Sequence, residues 1–137
     1  MNTFFVALGS ALGGVCRWQL GIMLQRRYGA AAVAGGGIPF PVGTLLVNVS
    51  GSFIAGALVV LLSRRGSDAT LSGLLLVVGF CGGYTTLSTF SVDTVTLIEQ
   101  GAPGLAAVNA LTTTTLAIVA ALAGMLLARA LLARTGA

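Results

Sequence analysis

Between Gly79 and Phe90 the chain reads GFCGGYTTLSTF, three glycines and five hydroxyl side chains inside an otherwise apolar run. In hydrocarbon every backbone N–H and C=O needs a partner, so a segment prone to leave its helix there must be buried in protein or line a wet cavity. The run therefore predicts a broken membrane helix with a pore or an ion site at its break.

Composition supports a membrane setting. Of 137 residues, 56% are hydrophobic and 7% are charged, against about 25% charged in soluble domains. The basic residues are all Arg (Arg17, Arg26, Arg27, Arg64, Arg65, Arg129, Arg134) and the acids are Asp68, Asp93 and Glu99. A net charge of +4 would point to nucleic acid in a soluble protein, but most of these arginines sit at the ends of apolar runs, where they meet headgroups. No nucleic-acid partner is expected. Cys16 and Cys81 fall inside apolar runs as small hydrophobes, and two thiols without His make a poor metal set. No Lys or Arg precedes the first apolar run, which is read as a span and not a cleaved signal. A soluble enzyme is excluded by composition, and no pairing of nucleophile and base is apparent.

Four spans are expected, at about 3–24, 42–62, 71–98 and 104–128, forming one all-α membrane domain. The third is about 28 residues long, where a straight crossing needs about 20. Its break is placed at 79–86, with Gly79, Gly82 and Gly83 supplying it. Unwound carbonyls in such a break can coordinate a cation. In the second span Thr44, Asn48, Ser52 and Gly56 recur every four residues and share one face. An Asn there can bridge two helices by hydrogen bonds, but a continuous polar face favours a pathway. Leu87, Phe90 and Asp93 share a face of the third span, and Asn109, Thr112 and Thr113 form a polar stripe on the fourth. Any single Thr can instead bond back to its own helix. Gly9 and Gly13, and Ala120, Gly124 and Ala128, have the spacing of close helix contacts. Arg17 lies deeper than a flanking charge; it is read as snorkelling beside Trp18 or bonding carbonyls at a helix end, with a functional role as the alternative.

Arg64, Arg65, Arg129 and Arg134 would share one side of the membrane, and Arg26 and Arg27, with or without Arg17, the other. This weak bias specifies orientation poorly, so two copies of opposite orientation can pair about an axis in the membrane plane. The polar inventory inside the spans is neutral, which suits a channel, because a fixed cation would hold an anion too long. A phenyl ring adds an electropositive edge. Asn48, hydroxyls and Phe90 together could strip water from a small, hard anion.

The segments GGVCRW (13–18), GTLLVNVSGSFIAG (43–56) and GFCGGYTTLSTFSVDT (79–94), in that order in a four-span chain, resemble the Fluc/CrcB family of fluoride channels over essentially the whole chain. The resemblance implies a dual-topology antiparallel homodimer with two fluoride pores and a central structural sodium ion, exporting cytoplasmic fluoride passively across the bacterial inner membrane. By motif position Asn48 and Phe90 would contact fluoride, with Thr44, Ser88 and Thr89 as polar neighbours. The backbone carbonyls of Gly82 and Thr85 would hold sodium. Leu87 stands where the family motif usually has its first phenylalanine. Asn109, Thr112 and Thr113 enter the pore list on helical spacing alone. Two other readings compete. A small multidrug-type, proton-coupled transporter needs a membrane-embedded carboxylate, for which Asp93 is the candidate. A non-transporting assembly subunit would leave the polar stripes without a task.

Overall fold

The computed structural model describes residues 2–29, 37–63 and 69–135. Arg64, Arg65, Asp68 and most of the Gly/Ala-rich connection lie outside the described residues. The first crossing is α1 (Asn2–Leu24), which continues into a wider π-helical turn over Gln25–Gly29. α2 spans Val42–Ser63. The third crossing is made of pieces: α3 (Ala69–Ser72), a π-helical stretch (Gly73–Cys81), α4 (Gly82–Tyr84) and, after two extended residues, α5 (Leu87–Glu99). The last is α6 (Pro103–Thr135). Four segments are long and apolar enough to span a bilayer, at Asn2–Tyr28, Val42–Ser63, Gly73–Glu99 and Pro103–Arg134. The chain is thus an all-α, four-span membrane protein.

Local chemistry sets the helix ends. Gln25 reaches across to the start of α2, accepting from the Gly43 N–H at 3.0 Å and donating to the Phe40 carbonyl at 3.0 Å. It ties the end of α1 to one of the orphan donors of α2. At the end of α5, Gly101 adopts φ +78°, with Ala102 N–H on Leu97 O (2.9 Å) and Gly101 N–H on Ile98 O (3.0 Å). This pair of bonds is the Schellman closure, and it needs the left-handed residue that glycine supplies. Pro103 then opens α6, where its missing N–H costs nothing.

Small residues let the helices meet backbone to backbone, as their spacing predicts. α2 crosses α6 where Gly56 faces Ala121 and Gly124 faces Phe53. α1 crosses the third span where Gly9 faces Gly79 and Phe80, and Gly83 faces Ser10. In a bilayer such close van der Waals contact holds helices together, because lipid offers no hydrophobic gain for association.

The glycine assignment of the break is corrected by this packing. Gly82 is helical (φ −64°, ψ −37°), whereas Thr85 (φ −80°, ψ 156°) and Thr86 (φ −150°, ψ 116°) are extended. Gly79 and Gly83 are spent on contact with α1, a role that needs a missing Cβ and no unusual φ. The unwinding falls instead on two adjacent β-branched residues, which favour extended backbone. A Cβ on Gly9 would lie 2.8 Å from the Phe80 nitrogen and 2.9 Å from Gly79 Cα, while one on Gly14 would meet nothing within 4 Å. Gly9→Ala should therefore destabilise the protein by about 1–3 kcal/mol and Gly14→Ala should not. Thermal unfolding in detergent checks this, and equal melting of the two variants would contradict the packing.

Candidate functional site

A helix broken inside a membrane must find new partners for its backbone, and Asn48 provides them. Its Oδ1 accepts the Thr86 N–H at 2.8 Å and its Nδ2 donates to the Thr86 carbonyl at 3.0 Å. Both residues are buried, at 8% and 7% exposure, so either group left unpaired would cost about 1–3 kcal/mol. The Thr86 hydroxyl then accepts the Thr89 N–H at 3.1 Å and caps α5. On the other side of the break the Thr85 N–H and hydroxyl both donate to Cys81 O, at 2.9 and 3.0 Å.

These bonds draw away the helical donors of two of the carbonyls at the break. In a continuous helix Gly82 O would accept from Thr86 N–H, and Thr85 O from Thr89 N–H. Those N–H groups are directed to Asn48 and to the Thr86 hydroxyl. Gly82 is exposed, and a Cβ there would meet nothing within 4 Å. Tyr84, buried just before the break, is steadied by its hydroxyl 3.0 Å from Ser50 Oγ and by stacking on Phe80 at 5.7 Å. Gly51 leaves room for its ring.

Three cavities run along this framework. A mouth of about 340 Å³ holds Gln25, Thr44 and Asp93. It shares Gly21, Ile22 and Thr44 with a second cavity, of about 310 Å³, that also holds Arg17, Thr86 and Thr89. A groove of about 300 Å³ lies beyond, lined by Asn48, Ser52, Thr85, Thr86, Phe90 and Thr113, with Leu87 and Ile118 along it. Leu87 is 76% exposed and Ile118 66%, so this groove is open on one flank.

The structure gathers most of the expected site residues and separates others. Asn48, Leu87, Phe90 and Thr113 meet in the groove, while Thr44 and Thr89 line the second cavity. Ser88 is exposed, with its Oγ 3.1 Å from Thr86 Oγ1. Asn109 is placed elsewhere. It is fully buried between α5 and α6, with Nδ2 on Thr94 Oγ1 (2.9 Å) and Oδ1 accepting from the Thr113 hydroxyl (3.2 Å). Its amide bridges two helices, and it is not among the residues lining these three cavities. Thr112 donates to Val108 O at 2.7 Å within its own helix. Helical spacing identified the stripe but could not say which members turn to the neighbouring helix.

The structure gives surroundings to two residues whose place the sequence left open. Arg17 is half-buried in the second cavity, with no hydrogen bond or ion pair from its guanidinium among the described residues. Its unusual depth was the signal. Asp93 accepts the Thr44 hydroxyl at 2.6 Å, a link between spans that no local pattern announces. The three cavities are lined by hydroxyls, side-chain amides, the Arg17 guanidinium, the Phe90 ring and, at the mouth, the Asp93 carboxylate. Among the described residues no group of three His, Cys, Asp or Glu converges on a metal position.

Comparison with known proteins places this geometry in context. The family model described as CrcB-like protein, Camphor Resistance (CrcB), matches residues 4–125. A relative from Agrobacterium fabrum, named fluoride-specific ion channel FluC, is 42% identical over 129 residues, covering 94% of this chain and 97% of that protein. One of the same name from Coxiella burnetii is 39% identical over 132 residues, covering 96% and 100%.

The clamp makes a stability prediction independent of transport. Asn48→Ala should cost about 1–3 kcal/mol for each Thr86 group it leaves unpaired. Ser52→Ala, one turn further along the same face, removes no protein hydrogen bond and should stay within about 0.5 kcal/mol of the parent. Unfolding in detergent reads both, and similar losses at the two positions would contradict the clamp.

Proposed function

The chain belongs to the CrcB-like protein family, and from that membership we propose that it is a passive, fluoride-selective channel of the bacterial inner membrane that lets cytoplasmic fluoride leave. The observation that carries the reading is a chain of donor-lined cavities meeting at the Asn48–Thr86 junction. A small, hard anion is strongly hydrated, so a path through hydrocarbon must offer it donors in place of water.

Arg17 gives the second cavity a positive charge that draws anions in, and it is not among the residues of the groove where the ion must stay loosely held. Asn48 Nδ2 carries two hydrogens and uses one on Thr86 O, leaving the other for fluoride. Phe90 lines the same groove and offers its electropositive ring edge. Leu87 has no such edge. On its side the anion meets a purely apolar wall.

The open flank of the groove and the bare face at Gly82 support a second, antiparallel copy of this chain as the partner. Two copies would bring together the Gly82 and Thr85 carbonyls, whose helical donors are directed elsewhere. Such oxygens suit sodium, a hard cation that prefers neutral oxygen ligands and would fix the two breaks against each other. Asp93 remains at the mouth, bonded to Thr44, where it tunes ion entry and is not needed as a proton carrier.

Fluoride and chloride efflux from liposomes containing the purified protein tests the function. Fluoride should leave without a proton gradient and chloride should not. Phe90→Ala should slow fluoride by about tenfold or more, and Thr112→Ala, whose hydroxyl serves its own helix, should not. Efflux of neither anion, or fluoride efflux that requires a proton gradient, would contradict the proposal.

A further inference from the structure

Two cavities flank the Asn48 clamp, and Thr86 is the residue they have in common among the described residues. On one side lies the groove with Asn48 and Phe90; on the other lie Arg17, Thr44 and Thr89. Thr86 is only 7% exposed and forms the wall between them. Its backbone cannot swing aside, because its N–H and C=O are both tied to Asn48. Its β-branched side chain is stiff as well. What remains free to turn is the hydroxyl hydrogen.

The surrounding bonds separate this hydroxyl from its neighbours. Thr44 directs its hydrogen to Asp93 at 2.6 Å, and Thr113 directs its own to Asn109 at 3.2 Å. Each serves one protein acceptor and one side of the path. Thr86 Oγ1 instead lies 3.1 Å from both Ser88 Oγ and Thr89 Oγ1. With the Thr86 hydrogen on Thr89, the Thr89 hydrogen has no protein acceptor among the described residues and is free to serve an anion on the Arg17 side. Thr86 lines the groove as well, so a turn of its hydroxyl hydrogen is the one motion left at this wall.

We propose that Thr86 is the septum of the ion path and that its hydroxyl is the donor transferred from one side to the other as fluoride crosses. This inference rests on the channel reading above and adds to it the residue at the crossing. Fluoride accepts hydrogen bonds more strongly than a hydroxyl oxygen does, so it displaces Thr89 as the acceptor on arrival. No covalent bond is made or broken. The ion need not leave one donor before meeting the next, which keeps the dry step between the cavities low.

Fluoride efflux from liposomes carrying Thr86→Val and Thr86→Ser variants tests this. Valine keeps the shape and removes the hydroxyl; it should lower the flux by about tenfold or more. Serine restores the hydroxyl and should recover most of that loss. Thr86→Val flux within about threefold of the parent, or Thr86→Ser as slow as Thr86→Val, would overturn the proposal. Valine also removes the cap of α5, so elution and melting are read alongside. Should Thr86→Val not fold, Thr89→Val leaves the cap and clamp in place and removes the relay partner on the Arg17 side. It should then slow fluoride several-fold, and an unchanged rate would overturn the proposal. A parent protein that passes no fluoride would sink the channel reading itself, an outcome distinct from any of these.

Discussion

The double hydrogen bond between Asn48 and the Thr86 backbone is the interaction on which the rest of this membrane domain depends. A break in a membrane helix is tolerated only where its freed N–H and C=O groups are met again. One primary amide meets both, because it presents a donor and an acceptor side by side. From that bond follow the fixed backbone at Thr86 and a Gly82 carbonyl whose helical donor is turned away from it. Remove it, and the extended turn that Thr85 and Thr86 favour loses the partners that make it tolerable in a membrane.

Close packing allows the clamp to work. Asn48 reaches Thr86 because α2 is pressed against the break, with Gly51 admitting the Tyr84 ring and Ser50 meeting its hydroxyl. Behind the break, α1 is held against the π-helical stretch and α4 through Gly9, Gly13, Gly79 and Gly83. α6 supports the opposite side of α2 through Gly56 and Gly124, and α5 through Asn109 and Thr94. The small residues therefore set distances between helices, and the polar ones hold the single irregular turn those distances create. The second hydrogen of Asn48 has no part in this framework, and in the channel proposed above it faces the ion in the groove.

Much of this was legible in the sequence. Apolar length marked four spans, and the four-residue recurrence of Thr44, Asn48 and Ser52 marked the face that lines the cavities. The unwinding lies within 79–86, but its cause differs from the glycines the sequence suggested, since a glycine can serve either conformational freedom or close approach, and only the neighbouring helix decides which. Gly79 and Gly83 face α1, so the extended backbone fell to Thr85 and Thr86. Asn109 shows the same limit from the polar side. Its spacing with Thr113 is that of a pore stripe, yet its amide is consumed by Thr94 and Thr113. For Arg17 the depth was visible but the direction was not, because the cavity it faces is built by residues from other spans.

Amide hydrogen exchange at Thr86, followed in the lipid-embedded protein and in its Asn48→Ala variant, tests the central claim most directly. A residue outside any helix should exchange quickly unless something holds its N–H. The clamp predicts that Thr86 in the parent exchanges as slowly as the interior of α2 and that Asn48→Ala releases it by about 10²-fold or more, a loss of about 2.7 kcal/mol of local protection. Rapid exchange in the parent, or protection unchanged by the substitution, would contradict the account.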